Sequence, residues 1–159
     1  MTEFGVAVDL DTPAEELERR WKLELVVRAH SIPHLHSLHE LDQRPDSRTL
    51  LWSLALELPL IARALVPRDA LRLRLEERFT DGESEFLLHS MGLPQQAAVA
   101  RGMLRFVDEG RGGRFQVQGR LHVDPAAVRI PASLLGPQIE IRAARALERA
   151  FTHLGRSLA

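Results

Sequence analysis

From Gly136 to Leu158 the chain carries its longest stretch of helical periodicity. Ala143, Leu147, Ala150, Phe151, Leu154 and Leu158 fall on one face, and Arg142, Arg145, Arg149, Thr152 and Arg156 on the other. Gly136 suits the N-cap and Pro137 the first helical position, where a missing N–H costs nothing and the fixed φ fits a helix. Gly155 is the expected stop, which gives a rod roughly 25 Å long. A helix with one apolar face needs a surface to bury it, and the segments before it are short and alternating. A sheet packed on this helix is therefore the expected architecture.

The alternation starts at once. Phe4, Val6, Val8 and Leu10 alternate with Glu3, Gly5, Ala7 and Asp9, a half-buried strand. Thr12-Pro13-Ala14-Glu15 has the form of a capping box. The helix it opens runs through Leu17 and Trp21 toward Leu25 and Ala29, with a break expected near Leu23. Ser31-Ile32-Pro33 ends it, because the residue before a proline disfavours helix. Residues 34–41 read as a short strand, and Arg44-Pro45-Asp46-Ser47 as a turn. Leu50, Trp52, Leu54, Leu56 and Leu58 then share one strand face. In the insertion from Pro59 to Pro67, Leu60, Ile61, Ala64 and Leu65 fit one face of a short helix.

Leu71, Leu73, Leu75 and Phe79 alternate with Arg72, Arg74, Glu76 and Arg78, and Asp81-Gly82 is a hairpin signal. Glu85 to Met91 returns as the partner strand, interrupted at Gly92-Leu93-Pro94, and Ala97 to Val107 forms the next. Gly110 to Gly113 is a hairpin tip, after which Phe115, Val117, Leu121 and Val123 alternate with polar residues. Gly119 in mid-strand indicates a bend or a close neighbour. Val128 and Ile130 extend the edge. Consecutive hairpins favour antiparallel neighbours, and a sheet with one apolar face must cover it. The fold class is α+β: a curved antiparallel sheet of about six to seven strands wrapped around a long C-terminal helix, with short helices after the first strand. No repeat or linker divides residues 1–159, so one domain is expected.

The 159 residues carry a net charge of −1, which gives no footprint for nucleic acid. Aromatic residues make up 5% and tyrosine is missing, so the basic row Arg72, Arg74 and Arg78 lacks rings for base stacking. With no cysteine there is no disulfide, thiolate metal site or thiol nucleophile. The start of the sequence lacks the pattern of a signal peptide. The longest apolar stretch, Leu50 to Val66, is broken by Glu57, Pro59 and Arg63, short of the roughly 18 uninterrupted residues that a membrane span needs. A cytoplasmic protein that is not an integral membrane protein is the expectation.

Two stretches carry a likeness. Gly119-Arg120-Leu121-His122-Val123, then Arg129-Ile130-Pro131-Ala132-Ser133-Leu134-Leu135-Gly136-Pro137-Gln138-Ile139-Glu140, resembles the ending of a branch of the START-like helix-grip superfamily of lipid-transfer, polyketide-cyclase and coenzyme-Q-binding domains. Gly92-Leu93-Pro94 with Arg101-Gly102-Met103-Leu104-Arg105-Phe106 resembles the middle of that branch. The resemblance spans nearly the whole chain and implies an apolar cavity between sheet and terminal helix. By position it implies Trp52, Leu54, Leu73, Leu75, Leu87, Phe115 and Val117 as sheet-side ligand contacts, with Leu147 and Phe151 facing them. The long apolar insertion from Pro59 to Pro67 departs from that pattern. It suits a cap on the core, a lid, or a homodimer contact.

Chemistry is sparse. His30, His34, His36 and His39 are four of the seven histidines, and in a strand His34 and His36 would point the same way with Glu40. A solvated, partly buried strand rich in polar residues is the favoured explanation, and no metal or cofactor is assigned. His89 and Glu85 share a strand face, where a histidine could act as a general base or simply sit at the rim. Ser53, Ser90 and Ser133 lack a nucleophile-elbow context, so no catalytic residue is assigned. The expected function is binding or transport of a small apolar or lipid-like molecule, with His89 and Arg101 as polar contributors. A cyclase or aromatase of the same fold, or a ligand-free structural module, are the alternatives.

Overall fold

The computed structural model describes residues 1–29, 38–53, 72–94, 97–124, 126–127 and 132–159, without the side chains of residues 132–137. In chain order the elements are β1 (Thr2–Leu10), α1 (Ala14–Ala29), β2 (His39–Arg44), β3 (Ser47–Ser53), β4 (Arg72–Thr80), β5 (Glu83–Ser90), β6 (Ala98–Glu109), β7 (Gly112–Val123) and α2 (Ala132–Arg156). The strands form one seven-stranded antiparallel sheet in the order β1-β7-β6-β5-β4-β3-β2. β2 to β7 is a meander of neighbours, and β1 closes the sheet by pairing with β7. Among the described residues the buried core forms one cluster, from Phe4 on β1 to Leu158 beyond α2.

Two tight turns fix the register of the central strands. Asp81-Gly82 joins β4 to β5 with Gly82 at φ 73°, which pairs Thr80 with Glu83 and Phe79 with Ser84. Gly110-Arg111 joins β6 to β7 with Gly110 at φ 61°. The expected four-residue tip is thus two residues long, with Gly112 and Gly113 already in the strand. Both are needed there, because a Cβ on Gly113 would lie 2.7 Å from the Thr12 carbonyl oxygen and one on Gly112 would overlap the Leu10 carbonyl oxygen.

That register lays the concave face out in rows. At one end lies Trp52–Leu73–Ser90, and next Leu50–Leu75–Leu88–Ala100–Leu121. The third row is Arg48–Glu77–Phe86–Gly102–Gly119–Phe4, followed by Phe79–Ser84–Leu104–Val117–Val6 and then Phe106–Phe115–Val8. Gly102 and Gly119 face each other, and the Phe86 and Phe4 rings cover them. A Cβ on Gly102 would lie 2.8 Å from Phe86 Cζ, and one on Gly119 would lie 2.5 Å from Phe4 Cζ. The close neighbour expected at Gly119 is Phe4.

α1 runs unbroken through Leu23 and buries Ala14, Leu17, Trp21, Leu25 and Ala29. It covers the Phe106–Phe115 end of the concave face, with Trp21 5.2 Å from Phe115 and 6.4 Å from Phe106, ring centre to ring centre. α2 differs from expectation at both ends. It already begins at Ala132, so Gly136 and Pro137 lie inside it rather than at its cap. Ala132, Ser133, Leu134 and Leu135 tolerate helix, and a proline this near the start removes a single N–H. Gly155 also lies within the helix. Its role is steric, since a Cβ there would lie 2.5 Å from Phe115 Cδ1.

Candidate functional site

The concave interior is built from alternate residues of β1 and β3–β7, with α2 laid across it. Ala144, Leu147, Phe151 and Leu154 of α2 are each 2% exposed or less. Phe151 is the hub, with ring centres 5.4 Å from Trp52, 5.5 Å from Phe86 and 6.3 Å from Phe4. These contacts divide the interior. On one side α1 seals the Phe106–Phe115 row. On the other lie Leu73, Ser90, Leu121, Val123 and Ile139, all buried.

The α1 side holds a polar cluster that the alternation of the sequence did not reveal. Arg48 donates from Nε and Nη2 to Glu77 Oε2 at 2.9 and 2.7 Å, and from Nη1 to the Trp21 carbonyl at 2.7 Å. Trp21 Nε1 donates to Glu77 Oε1 at 2.9 Å. The two charged side chains are 1% and 0% exposed. Burial pushes the Glu77 carboxyl up, against the pull of Arg48 and the Trp21 hydrogen bond. Every donor of this cluster is directed at α1 or at Glu77, so its chemistry is that of a clasp between helix and sheet.

Of the residues expected to contact ligand, Trp52, Leu73, Leu75, Phe115, Val117, Leu147 and Phe151 are buried in the interior. The first two lie in the outermost row, whereas Phe115 is under α1. Leu54 lies outside the described residues. Leu87, His89 and Arg101 are on the convex face instead. The Asp81-Gly82 turn sets Phe79 opposite Ser84, so Ser84, Phe86, Leu88 and Ser90 point inward and Glu85, Leu87 and His89 outward. Counting back from Phe79 through that two-residue turn would have given this parity. Phe4, Phe86, Leu88 and Leu121, which line the interior, were missed.

His89 Nε2 is 3.9 Å from Glu76 Oε1, which Arg74 Nε also approaches at 3.2 Å, so its carboxylate neighbour is Glu76 rather than Glu85. Arg101 is exposed opposite Arg120 and lines an open depression of about 730 Å³ with His122. His30, His34 and His36 lie outside the described residues, and His39 and Glu40 are exposed on β2. Among the described residues no group of three His, Cys, Asp or Glu could hold a metal ion. No described helix is long and apolar enough to cross a membrane.

A curled antiparallel sheet holding a C-terminal helix against its concave face defines a helix-grip domain. Solved structures share this helix-grip fold along almost the whole chain. A Thermus thermophilus protein is 16% identical with a TM-score of 0.66, covering 99% of this chain and 97% of that one. The Zhui aromatase/cyclase of a Streptomyces is 8% identical with a TM-score of 0.62, covering 98% and 93%. Norcoclaurine synthase from Thalictrum flavum, in complex with dopamine and hydroxybenzaldehyde, is 12% identical with a TM-score of 0.53, covering 94% and 87%. No family model and no curated protein matches the sequence.

Proposed function

We propose that this protein binds a small, largely apolar molecule between the sheet and α2 and performs no covalent chemistry on it. The observation that carries this reading is the character of the inward-facing groups. Apart from Ser84 and Ser90 the described interior is aliphatic and aromatic, and its two ionisable side chains, Arg48 and Glu77, are committed to each other and to α1. A cyclase needs an inward group free to move a proton, and His89 faces outward. Ligand would occupy the side of Phe151 away from α1, next to Trp52 and Leu73. That two of the similar folds belong to an aromatase/cyclase and to a synthase holding small aromatic molecules is consistent with a small ring-bearing guest.

Native mass spectrometry of the protein purified from its own host tests this. The expected result is a retained apolar molecule, lost on denaturation. A bare mass, together with no rise in melting temperature on adding naphthalene-sized apolar compounds, would support a packed structural module instead.

A further inference from the structure

The chain has two tryptophans, and both are buried to within 1%. Trp21 Nε1 donates to Glu77, but Trp52 Nε1 is buried with no hydrogen-bond partner. Buried donors without partners are rare in folded proteins, and leaving one unmade costs more than a typical hydrogen bond contributes. We infer that Trp52 Nε1 is the polar contact of the ligand site, and that the ligand is an apolar molecule carrying a neutral hydrogen-bond acceptor such as a ketone, ester or ether oxygen. This rests on the proposed function and narrows it to a ligand class.

The surroundings of the indole select that class. Trp52 stands in the outermost row beside Leu73, with its ring against Phe151, on the side of the interior that α1 leaves uncovered. A buried water would need two to four polar partners. The described polar side chain of that row is Ser90, two strands away and already engaged. Ser84 Oγ, also buried and unpartnered, lies in the row of Phe79, over which Lys22 of α1 sits, so it belongs to the sealed side. A charged acceptor is disfavoured. Among the described residues the inward cation is Arg48, which is saturated by Glu77 and the Trp21 carbonyl, so a carboxylate would be buried without a counter-charge. A hydrocarbon would leave the indole N–H unmade.

The test uses two probes of nearly equal shape, acetylnaphthalene and isopropylnaphthalene, and the indole N–H resonances of the two tryptophans in isotope-labelled protein. Acetylnaphthalene should move the Trp52 resonance downfield and leave that of Trp21, already bonded to Glu77, in place. Isopropylnaphthalene should bind, as core methyl shifts will show, without that downfield move. Trp52→Phe removes the donor together with part of the ring, so both probes lose apolar contact. Acetylnaphthalene should weaken by about 3- to 10-fold more than isopropylnaphthalene, whose remaining binding shows that the variant is folded. Equal responses of the Trp52 resonance to both probes, equal losses in Trp52→Phe, or tighter binding of naphthoate than of acetylnaphthalene would overturn the inference while leaving the binding function standing. Failure of both probes to bind would overturn the two together.

Discussion

At Arg48 and Glu77 two opposite charges meet inside the protein, and the sign of their contribution depends on what replaces them. Bringing both ions out of water costs several kcal/mol each, and that cost is offset only when every donor and acceptor is matched. Here they are matched, through Trp21 and the two hydrogen bonds to Glu77 Oε2. Glu77→Ala should therefore destabilise by about 3–5 kcal/mol, because it strands the guanidinium and the Trp21 N–H together. Arg48→Met with Glu77→Gln removes both charges and keeps an acceptor for Trp21, so it should recover most of the loss. Urea unfolding followed by tryptophan fluorescence measures both. Glycine positions differ as sharply. A Cβ on Gly102 would lie 2.1 Å from the Gln118 carbonyl oxygen and 2.7 Å from Gly119 Cα, and neither backbone atom can shift cheaply. Gly102→Ala should cost about 1–3 kcal/mol or more. Gly5→Ala, whose Cβ would meet Val117 O at 3.6 Å, should be close to neutral in the same assay.

Between elements, α2 is tied to the sheet near its start by one carboxylate. Glu140 accepts from Thr2 Oγ1 at 2.6 Å and from the Val123 N–H at 3.1 Å, and the Met1 amino group lies 2.9 Å away. Partial burial alone would raise its pKa, but these donors outweigh it and hold the carboxyl below its ordinary value. Because the folded state binds this proton less tightly than the unfolded chain, the tie is fully present above the ordinary carboxylate range, about 4.3. It is lost as the pH falls below that range. Glu140→Gln should thus be less stable than wild type at neutral pH, and the gap in urea midpoint should narrow toward pH 3. A constant gap would mean the charge plays no part. Apart from β2, which is exposed throughout and runs over His39–Arg44 rather than residues 34–41, the strands and both helices were legible because each repeats its period over at least two turns or three pairs. Residue parity in β5 was not: Leu87-Leu88 offers an apolar side chain to either face, and only the Asp81-Gly82 register chooses Leu88. Nor does local pattern distinguish Arg48 and Glu77 from surface charges, since their partner, Trp21, comes from an element far along the chain.

Across the molecule, the meander places β1 and β2 at opposite edges and leaves one concave face to be filled from two directions, by α1 and by α2. This architecture could be read from the order of the elements, because the terminal helix has the longest apolar face in the chain and the sheet has one face to bury. The division of the interior could not, because it depends on Trp21 reaching Phe115 from one side while Phe151 gathers Trp52, Phe86 and Phe4 on the other. A ligand on the Trp52 side would contact sheet and α2 at once, and that contact exists only in the folded chain. Binding must then raise the stability of the whole domain, since the core is a single cluster. At a free concentration a hundred times its Kd, acetylnaphthalene should add about 2.7 kcal/mol. For a domain of this size each kcal/mol moves Tm by about 2–4 °C, so the melt should shift upward by roughly 5–11 °C as one transition. Differential scanning calorimetry distinguishes this from surface adsorption. Adsorption would leave the Tm in place, and binding to a loosened sheet edge would split the melt in two.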